Sequence, residues 1–209
     1  MSQSVVVIDY GIGNVFSVCN ALRKIGASPV LTNDPKLIAN ADRLVLPGVG
    51  AFSHAVENLK KNGLDNAIYD FVATRRPFLG ICIGMQLLMD SSSENGFHKG
   101  LGLISGTVEE IKDNFLIKER AKVPHIGWSE VSMLANQKIP ITSVNSNHFY
   151  FVHSYVCVPS RKENIIGLFE YSGAMLTAIV RKNNIFGVQF HPERSGNSGL
   201  SFLKDFIEI

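Results

Sequence analysis

The sequence predicts an α/β fold, with a mostly parallel central sheet flanked by helices and an added antiparallel strand region, all in a single domain of residues 1–209. Two observations carry this expectation. In the first half, short continuous apolar runs alternate with segments of helical periodicity, as strands buried on both faces and joined by helices require. In the second half, strand-like runs follow one another across short polar turns, the layout of antiparallel strands.

Residues 5–9 form an apolar run bounded by Tyr10-Gly11 and read as a buried parallel strand. Residues 14–25 carry Val15, Val18, Leu22 and Ile25 at helical spacing, and Gly26 stops them. Residues 30–31, 44–46 and 78–81 read as further parallel strands, and helices occupy much of 53–61, 66–75 and 83–90. Residues 107–111, 148–158, 165–171, 176–181 and 185–190 are strand-like, and a last helix runs from about residue 199 to 207.

The chemistry concentrates in Pro77-Phe78-Leu79-Gly80-Ile81-Cys82-Ile83-Gly84-Met85-Gln86-Leu87-Leu88. An apolar run ends in a cysteine with glycine two residues to either side, and a helix-like segment follows. This is the strand-turn-helix layout of a nucleophile elbow, with Cys82 in the nucleophile's place, and a buried structural cysteine at a strand end fits the segment equally well. Glycines suit so tight a turn, because bulkier neighbours would clash. The free N–H groups and the dipole of the following helix favour a thiolate. A base is offered by residues 185–190, a buried strand running into His191-Pro192-Glu193. His191 would take the thiol proton and return it to a leaving amine, with Glu193 holding the imidazole and Pro192 stiffening the link. Spacing alone leaves His54, His98, His125, His148 and His153 as competing bases.

Composition narrows the remaining choices. Hydrophobic residues make up 45% and charged residues 18%, as in soluble globular proteins. No apolar stretch approaches a membrane span, and the N-terminus lacks a signal-peptide layout. Cys19, Cys82 and Cys157 have neither metal-ligand nor disulfide-framework spacing, which suits a reducing cytoplasm. The net charge is +2 and the basic pairs are scattered, so no nucleic-acid surface is expected. Gly11-Ile12-Gly13 after a strand could open a dinucleotide fingerprint, but the third glycine position holds Phe16, and a tight turn into the helix explains the pair.

Taken together, Gly80-Ile81-Cys82-Ile83-Gly84-Met85-Gln86 and Gly187-Val188-Gln189-Phe190-His191-Pro192-Glu193 resemble the class I, triad-type glutamine amidotransferases. Four more segments resemble a narrower branch, whose members pass ammonia to a (β/α)8-barrel cyclase subunit in histidine biosynthesis. They are Asp9-Tyr10-Gly11-Ile12-Gly13-Asn14, Leu46-Pro47-Gly48-Val49-Gly50-Ala51-Phe52, Pro124-His125-Ile126-Gly127-Trp128 and Tyr150-Phe151-Val152-His153-Ser154-Tyr155. The matches run from residue 9 to 195 in the family's order. The resemblance implies a class I glutamine amidotransferase-like fold, glutamine as substrate, a heterodimer with the barrel subunit, and no cofactor or metal. It also implies an oxyanion hole from the N–H groups of Val49 and Ile83, with glutamine held by Gly50, Gln86 and Glu94. Asn14, Trp128, Tyr150 and Arg194 match residues of the interface and ammonia passage. Arg194 stands where the family usually has lysine, Ser129 where asparagine is common, and Ile83 where leucine is usual. Three other roles stay open at this level: ammonia supply for acetamidino-sugar synthesis in a bacterial surface-polysaccharide pathway, a non-catalytic regulatory scaffold, and a free-standing glutamine hydrolase.

Overall fold

A computed structural model of the chain describes residues 3–114, 122–134, 141–144 and 147–209. Through the first half, β1 (Ser4–Ile8), α1 (Val15–Lys24), β2 (Ser28–Thr32), α2 (Pro35–Ala39), β3 (Leu44–Gly48), α3 (Phe52–Lys61), α4 (Leu64–Ala73), β4 (Phe78–Cys82) and α5 (Ile83–Gln86) follow the expected alternation. β3 and β4 are buried along their whole length, as their apolar runs demand. Helix α1 buries Val15, Val18, Cys19 and Leu22. Gly26, at φ +85°, ends it, with its N–H on the Arg23 carbonyl and that of Ala27 on the Leu22 carbonyl. That is a Schellman stop, which requires the left-handed conformation glycine tolerates.

The second half contains β5 (Ser91–Ser92), β6 (His98–Lys99), β7 (Gly106–Glu110), α6 (Ile111–Asn114), β8 (His125–Met133), β9 (Asn147–His153), β10 (Tyr155–Pro159), β11 (Ile165–Tyr171), β12 (Ala174–Lys182), β13 (Ile185–Val188) and α7 (Gly196–Ile207). The large sheet has the order β2-β1-β3-β4-β13-β12-β11-β8-β9. It is parallel from β2 to β13 and antiparallel from β13 to β9, so the added strands continue the central sheet and the whole is mixed. A smaller sheet, β10-β7-β5-β6, stands beside it.

Five elements, α2, β5, β6, α6 and β8, were not foreseen, β8 because it buries only His125 and Val131, and two foreseen elements differ from expectation. The helix foreseen over residues 83–90 stops after one turn. The carbonyls of Leu87, Leu88, Met89 and Asp90 instead accept from Leu101, Ile104, Gly102 and Gly100, and this long-range capture ends the helical ladder. The strand foreseen over residues 148–158 is two strands: β9 pairs with β8 in the large sheet, and β10 pairs with β7 in the small one. The chain changes sheets at Ser154. Among the described residues, no helix is long and apolar enough to cross a membrane.

The antiparallel half curls back, because the N–H of His191, just beyond β13, bonds the Tyr150 carbonyl of β9 at 2.9 Å. Aromatic packing holds this closure. Phe149 stacks on Phe190 at 4.1 Å between centroids, and Phe190 meets Phe202 of α7 edge-on at 5.4 Å. All three are fully buried, and each such side chain contributes roughly 1.5–3 kcal/mol of burial free energy. β1, β3, β4 and β13 all run the same way, so their carboxyl ends share one edge, where ligand crevices form in open α/β sheets.

At that edge α5 lies tightly on β3. A Cβ on Gly84 would collide with the Leu46 carbonyl oxygen, a backbone atom that cannot swing aside. Gly84→Ala is therefore expected to destabilise the fold by about 3 kcal/mol, read as a lowered midpoint in urea unfolding.

Candidate active site

Cys82 ends β4, and its backbone has φ 55° and ψ −110°. A non-glycine residue in this region is strained by roughly 1–3 kcal/mol and persists only where surrounding packing imposes it. The flanking glycines supply that packing: a Cβ on Gly80 would stand 2.5 Å from the Gly84 oxygen, so the strand and first helical turn touch backbone to backbone. The elbow read from the sequence is present. Ile83 opens α5, so its N–H is one of the first-turn donors with no partner in the helix. Sheet register sets the neighbours. Gly48 pairs with Cys82, placing Val49 just past it on one side, and Val188 pairs with Ile81, placing Gln189 beside Cys82 on the other.

His191 follows β13 and is pinned by its own backbone. Its N–H bonds Tyr150, and its carbonyl accepts the Ser195 hydroxyl at 2.6 Å, which in turn accepts the Tyr150 N–H at 2.9 Å. Pro192 opens a 3-10 turn over Pro192–Arg194 that brings Glu193 back to the imidazole. His191 Nδ1 lies 2.8 Å from Glu193 Oε1, with both side chains almost fully buried. Nδ1 therefore carries its proton toward the carboxylate and leaves Nε2 for chemistry. Burial alone would lower the His191 pKa. Hydrogen bonding and charge from Cys82 and Glu193 outweigh it and push the value up from 6.5 to about 10. Among the described residues Nε2 has no hydrogen bond of good geometry, although the sulfur lies close enough to act on it. Such bonds commonly tighten only when substrate is bound.

Cys82 and His191 line one cavity of about 250 Å³, together with Val49, Ile83, Gly50, Gln86 and Glu94. All of the residues expected for the triad's reacting atoms, the oxyanion donors and glutamine binding thus converge there, with Glu193 directly behind His191. Gly50 has φ +90°, a backbone turn open to glycine, in a loop where Val49 is 39% exposed. Gln86 donates from Nε2 to the Tyr155 carbonyl at 3.1 Å and to Gln189 at 3.2 Å, while its Oε1 is buried without a partner among the described residues. Glu94 Oε2 accepts the Phe52 N–H at 2.6 Å, capping α3 from a distance.

The expected interface residues lie outside this cavity. Trp128, 55% exposed, meets Tyr150 edge-on at 6.0 Å, and the Arg194 guanidinium sits 5.0 Å over the Tyr150 ring. Tyr150 and Arg194 flank His191, whose N–H bonds the Tyr150 carbonyl and whose carbonyl accepts the Arg194 N–H at 3.0 Å. Asn14 is exposed at the start of α1, which packs against the Pro192–Arg194 turn. Gly13 has φ +117°, so its left-handed turn accounts for that glycine without a bound phosphate.

Of the competing histidines, His153 alone also lines the cavity. Its Nδ1 is 2.8 Å from the Tyr155 carbonyl and its Nε2 is 3.3 Å from His125 Nδ1, so both ring nitrogens are engaged. Burial lowers its pKa to about 3 and that of His125 to about 4. Neither is available as a base. Sequence reasoning gave this pair no role beyond that of competing bases, and none to Gln189 or Tyr10. The buried Tyr10 hydroxyl donates to the Pro47 carbonyl at 2.8 Å, and a Cβ on Gly48 would lie 2.6 Å from it. A polar side chain inside an apolar strand run was the one available signal for Gln189. Among the described residues no cluster could hold a metal ion.

Comparison with known proteins agrees with this geometry. Residues 6–209 match the model of the family described as glutamine amidotransferase class-I. The imidazole glycerol phosphate synthase subunit HisH of Bacillus velezensis is 42% identical, over 97% of this chain and 95% of its own. The chloroplastic imidazole glycerol phosphate synthase hisHF of Arabidopsis thaliana is 46% identical over 99% of this chain, which spans 34% of the plant protein. Among solved structures, PurLQS from Thermotoga maritima superposes with a TM-score of 0.75 at 18% identity, covering 100% of this chain and 99% of the other, a likeness of fold.

The buried histidines give a stability prediction. His191, raised to about 10, contributes stability present below pH 6.5 and lost as pH rises through about 10. His125 and His153, lowered to about 4 and 3, contribute stability present above pH 6.5 and lost as pH falls through those values. Their sum is therefore greatest near pH 6.5, and a His125→Leu/His153→Leu variant is expected to show a flatter acid limb in denaturant midpoint against pH.

Proposed function

The chain belongs to the class I glutamine amidotransferase family, and from that premise we propose that it is the glutaminase subunit of an imidazole glycerol phosphate synthase, with Cys82, His191 and Glu193 as its catalytic triad. One observation carries the triad: a cysteine on a strained elbow shares a single cavity with an imidazole backed by a buried carboxylate. Imidazolium at His191 is the form that charge and hydrogen bonding favour at neutral pH, so the proton that the departing nitrogen needs is in place.

The Cys82 sulfur attacks the side-chain carboxamide carbon of glutamine. The carbonyl oxygen gains negative charge between the N–H groups of Val49 and Ile83, and each such donor is worth about 10²–10³ in turnover. His191 gives its Nε2 proton to the departing nitrogen, the C–N bond breaks, and ammonia leaves a thioester. His191, now neutral, takes a proton from water; hydroxide adds to the thioester, and collapse releases glutamate and the thiolate. Glu193 holds Nδ1–H throughout. Gln86 Oε1, buried and lacking a donor among the described residues, is suited to accept an N–H from bound glutamine, with the Glu94 carboxylate beside it.

Ammonia then passes to a (β/α)8-barrel cyclase subunit, where it enters imidazole glycerol phosphate with release of aminoimidazole carboxamide ribotide. The subunit names of the relatives support such a partner, and the plant relative is long enough to contain a second unit. On this chain, Ile126 and Trp128, both more than half exposed on one face of β8, with Tyr150 and Arg194 behind, supply an apolar and cationic docking surface. Residues 1–209 act as a single domain around one continuous core. Three buried, unpaired cysteines fit the cytoplasm.

In the complex with the cyclase subunit and its acceptor ligand, Cys82→Ala is expected to lower glutamate release by at least about 10⁴-fold; full activity would overturn the mechanism. Glu193→Gln removes one of the two groups that raise the His191 pKa. Its kcat/KM is expected to fall about 10²–10⁴-fold, and its alkaline limb to move from about pH 10 toward neutrality.

A further inference from the structure

Gln189 has no part in the mechanism above, yet it is a side chain that meets the sulfur. It is fully buried, and its Nε2 lies 3.7 Å from Cys82 Sγ. Its neighbours decide which end of its amide faces the thiol. The Tyr155 carbonyl can only accept, so Gln86 must present its NH2 there. The second hydrogen of that NH2 goes to Gln189 Oε1, and Gln189 is left with its own NH2 toward the sulfur.

The same carbonyl orders the histidine pair. Because Tyr155 accepts, His153 Nδ1 carries the proton and its Nε2 accepts from His125 Nδ1. His125 Nε2 must then accept, and the Ser129 hydroxyl, 3.2 Å away, donates to it. Both imidazoles are neutral, held so by burial. A continuous set of fixed donors and acceptors thus runs from Ser129, next to the exposed Trp128, to the sulfur.

We propose that this chain holds the Gln189 N–H on the Cys82 sulfur, making Gln189 a further catalytic residue that stabilises the thiolate and His153 a positioning residue acting through the Tyr155 carbonyl. The proposal rests on Cys82 being the nucleophile. A buried N–H facing an anionic sulfur favours the charged form, and buried networks stay ordered when every member is paired.

The test is the rate of Cys82 alkylation by iodoacetamide in the full chain bound to its cyclase subunit, with Cys82→Ala subtracting Cys19 and Cys157. Gln189→Met, similar in size but without the donor, is expected to react about tenfold more slowly at pH 7, the gap closing as pH rises and the thiol ionises unaided. Gln189→Glu, which points an acceptor at the sulfur, is expected to be slower still. His153→Phe is expected to slow alkylation about threefold, and His153→Asn, which keeps a donor where Nδ1 stood, to restore it. Wild-type rates in Gln189→Met, or a deficit equal at every pH, would overturn the proposal in favour of simple packing. Should Gln189→Met fail to fold, equal rates for His153→Phe and His153→Asn would overturn it instead. If the wild type shows no labelling above the Cys82→Ala background, the nucleophile assignment itself falls, and this inference with it.

Discussion

The molecule depends on one close approach: the first turn of α5 pressed against the end of β3, with Gly84 on the Leu46 carbonyl and Gly48 opposite Cys82. No side chain fits between these backbones, so the chain must turn sharply at position 82. The turn holds Cys82 in a conformation that it would not adopt alone, and strain there is offset by the buried parallel strands on either side. The same approach sets Val49 and Ile83 to flank the sulfur, so the proposed nucleophile and oxyanion donors are fixed by a single packing event.

Two imidazoles share the resulting cavity and are driven to opposite charge states. His191 faces a carboxylate and a thiol, and stays protonated well above neutrality. His153 faces a backbone carbonyl and another imidazole, and stays neutral well below it. Both are buried, and burial favours the neutral form of each; Cys82 and Glu193 overcome it at His191, whereas the Tyr155 carbonyl does not at His153. Divergent environments for like groups are how a folded protein assigns acid and structural roles without changing residue type. Cys82 and Glu193 are the residues that set His191 apart.

Much of this was legible in the chain. The strands at residues 5–9 and 78–81 announced themselves because burial on both faces leaves no room for polar residues, and the elbow because glycine is needed on both sides of Cys82. The contact between His191 and Glu193 was readable since the two are two residues apart across a proline. What escaped reading was set by contacts distant in sequence. The shortening of α5 comes from carbonyls captured by residues 100–104, and nothing between residues 83 and 90 signals it. The run from 148 to 158 looks unbroken because both of its strands are apolar, and only pairing separates them. Periodicity tells which face a strand buries, not which strand lies next to it, so the union of parallel and antiparallel halves in one mixed sheet was hidden. Gln189 became visible as a partner of Cys82 only through the register of β13 on β4.

The crossing at Ser154 has a mechanical consequence. His153 belongs to the large sheet through β9, Tyr155 to the small one through β10, and the residue between them borders the cavity while its carbonyl receives the Ile111 N–H at 3.0 Å. One wall of the reaction chamber is therefore a seam, whereas its floor at Cys82 is anchored inside the large sheet. Across that seam the Tyr155 carbonyl ties the small sheet to the Gln86 and Gln189 amides beside the sulfur, so the position of one sheet bears on the polar surroundings of a group carried by the other.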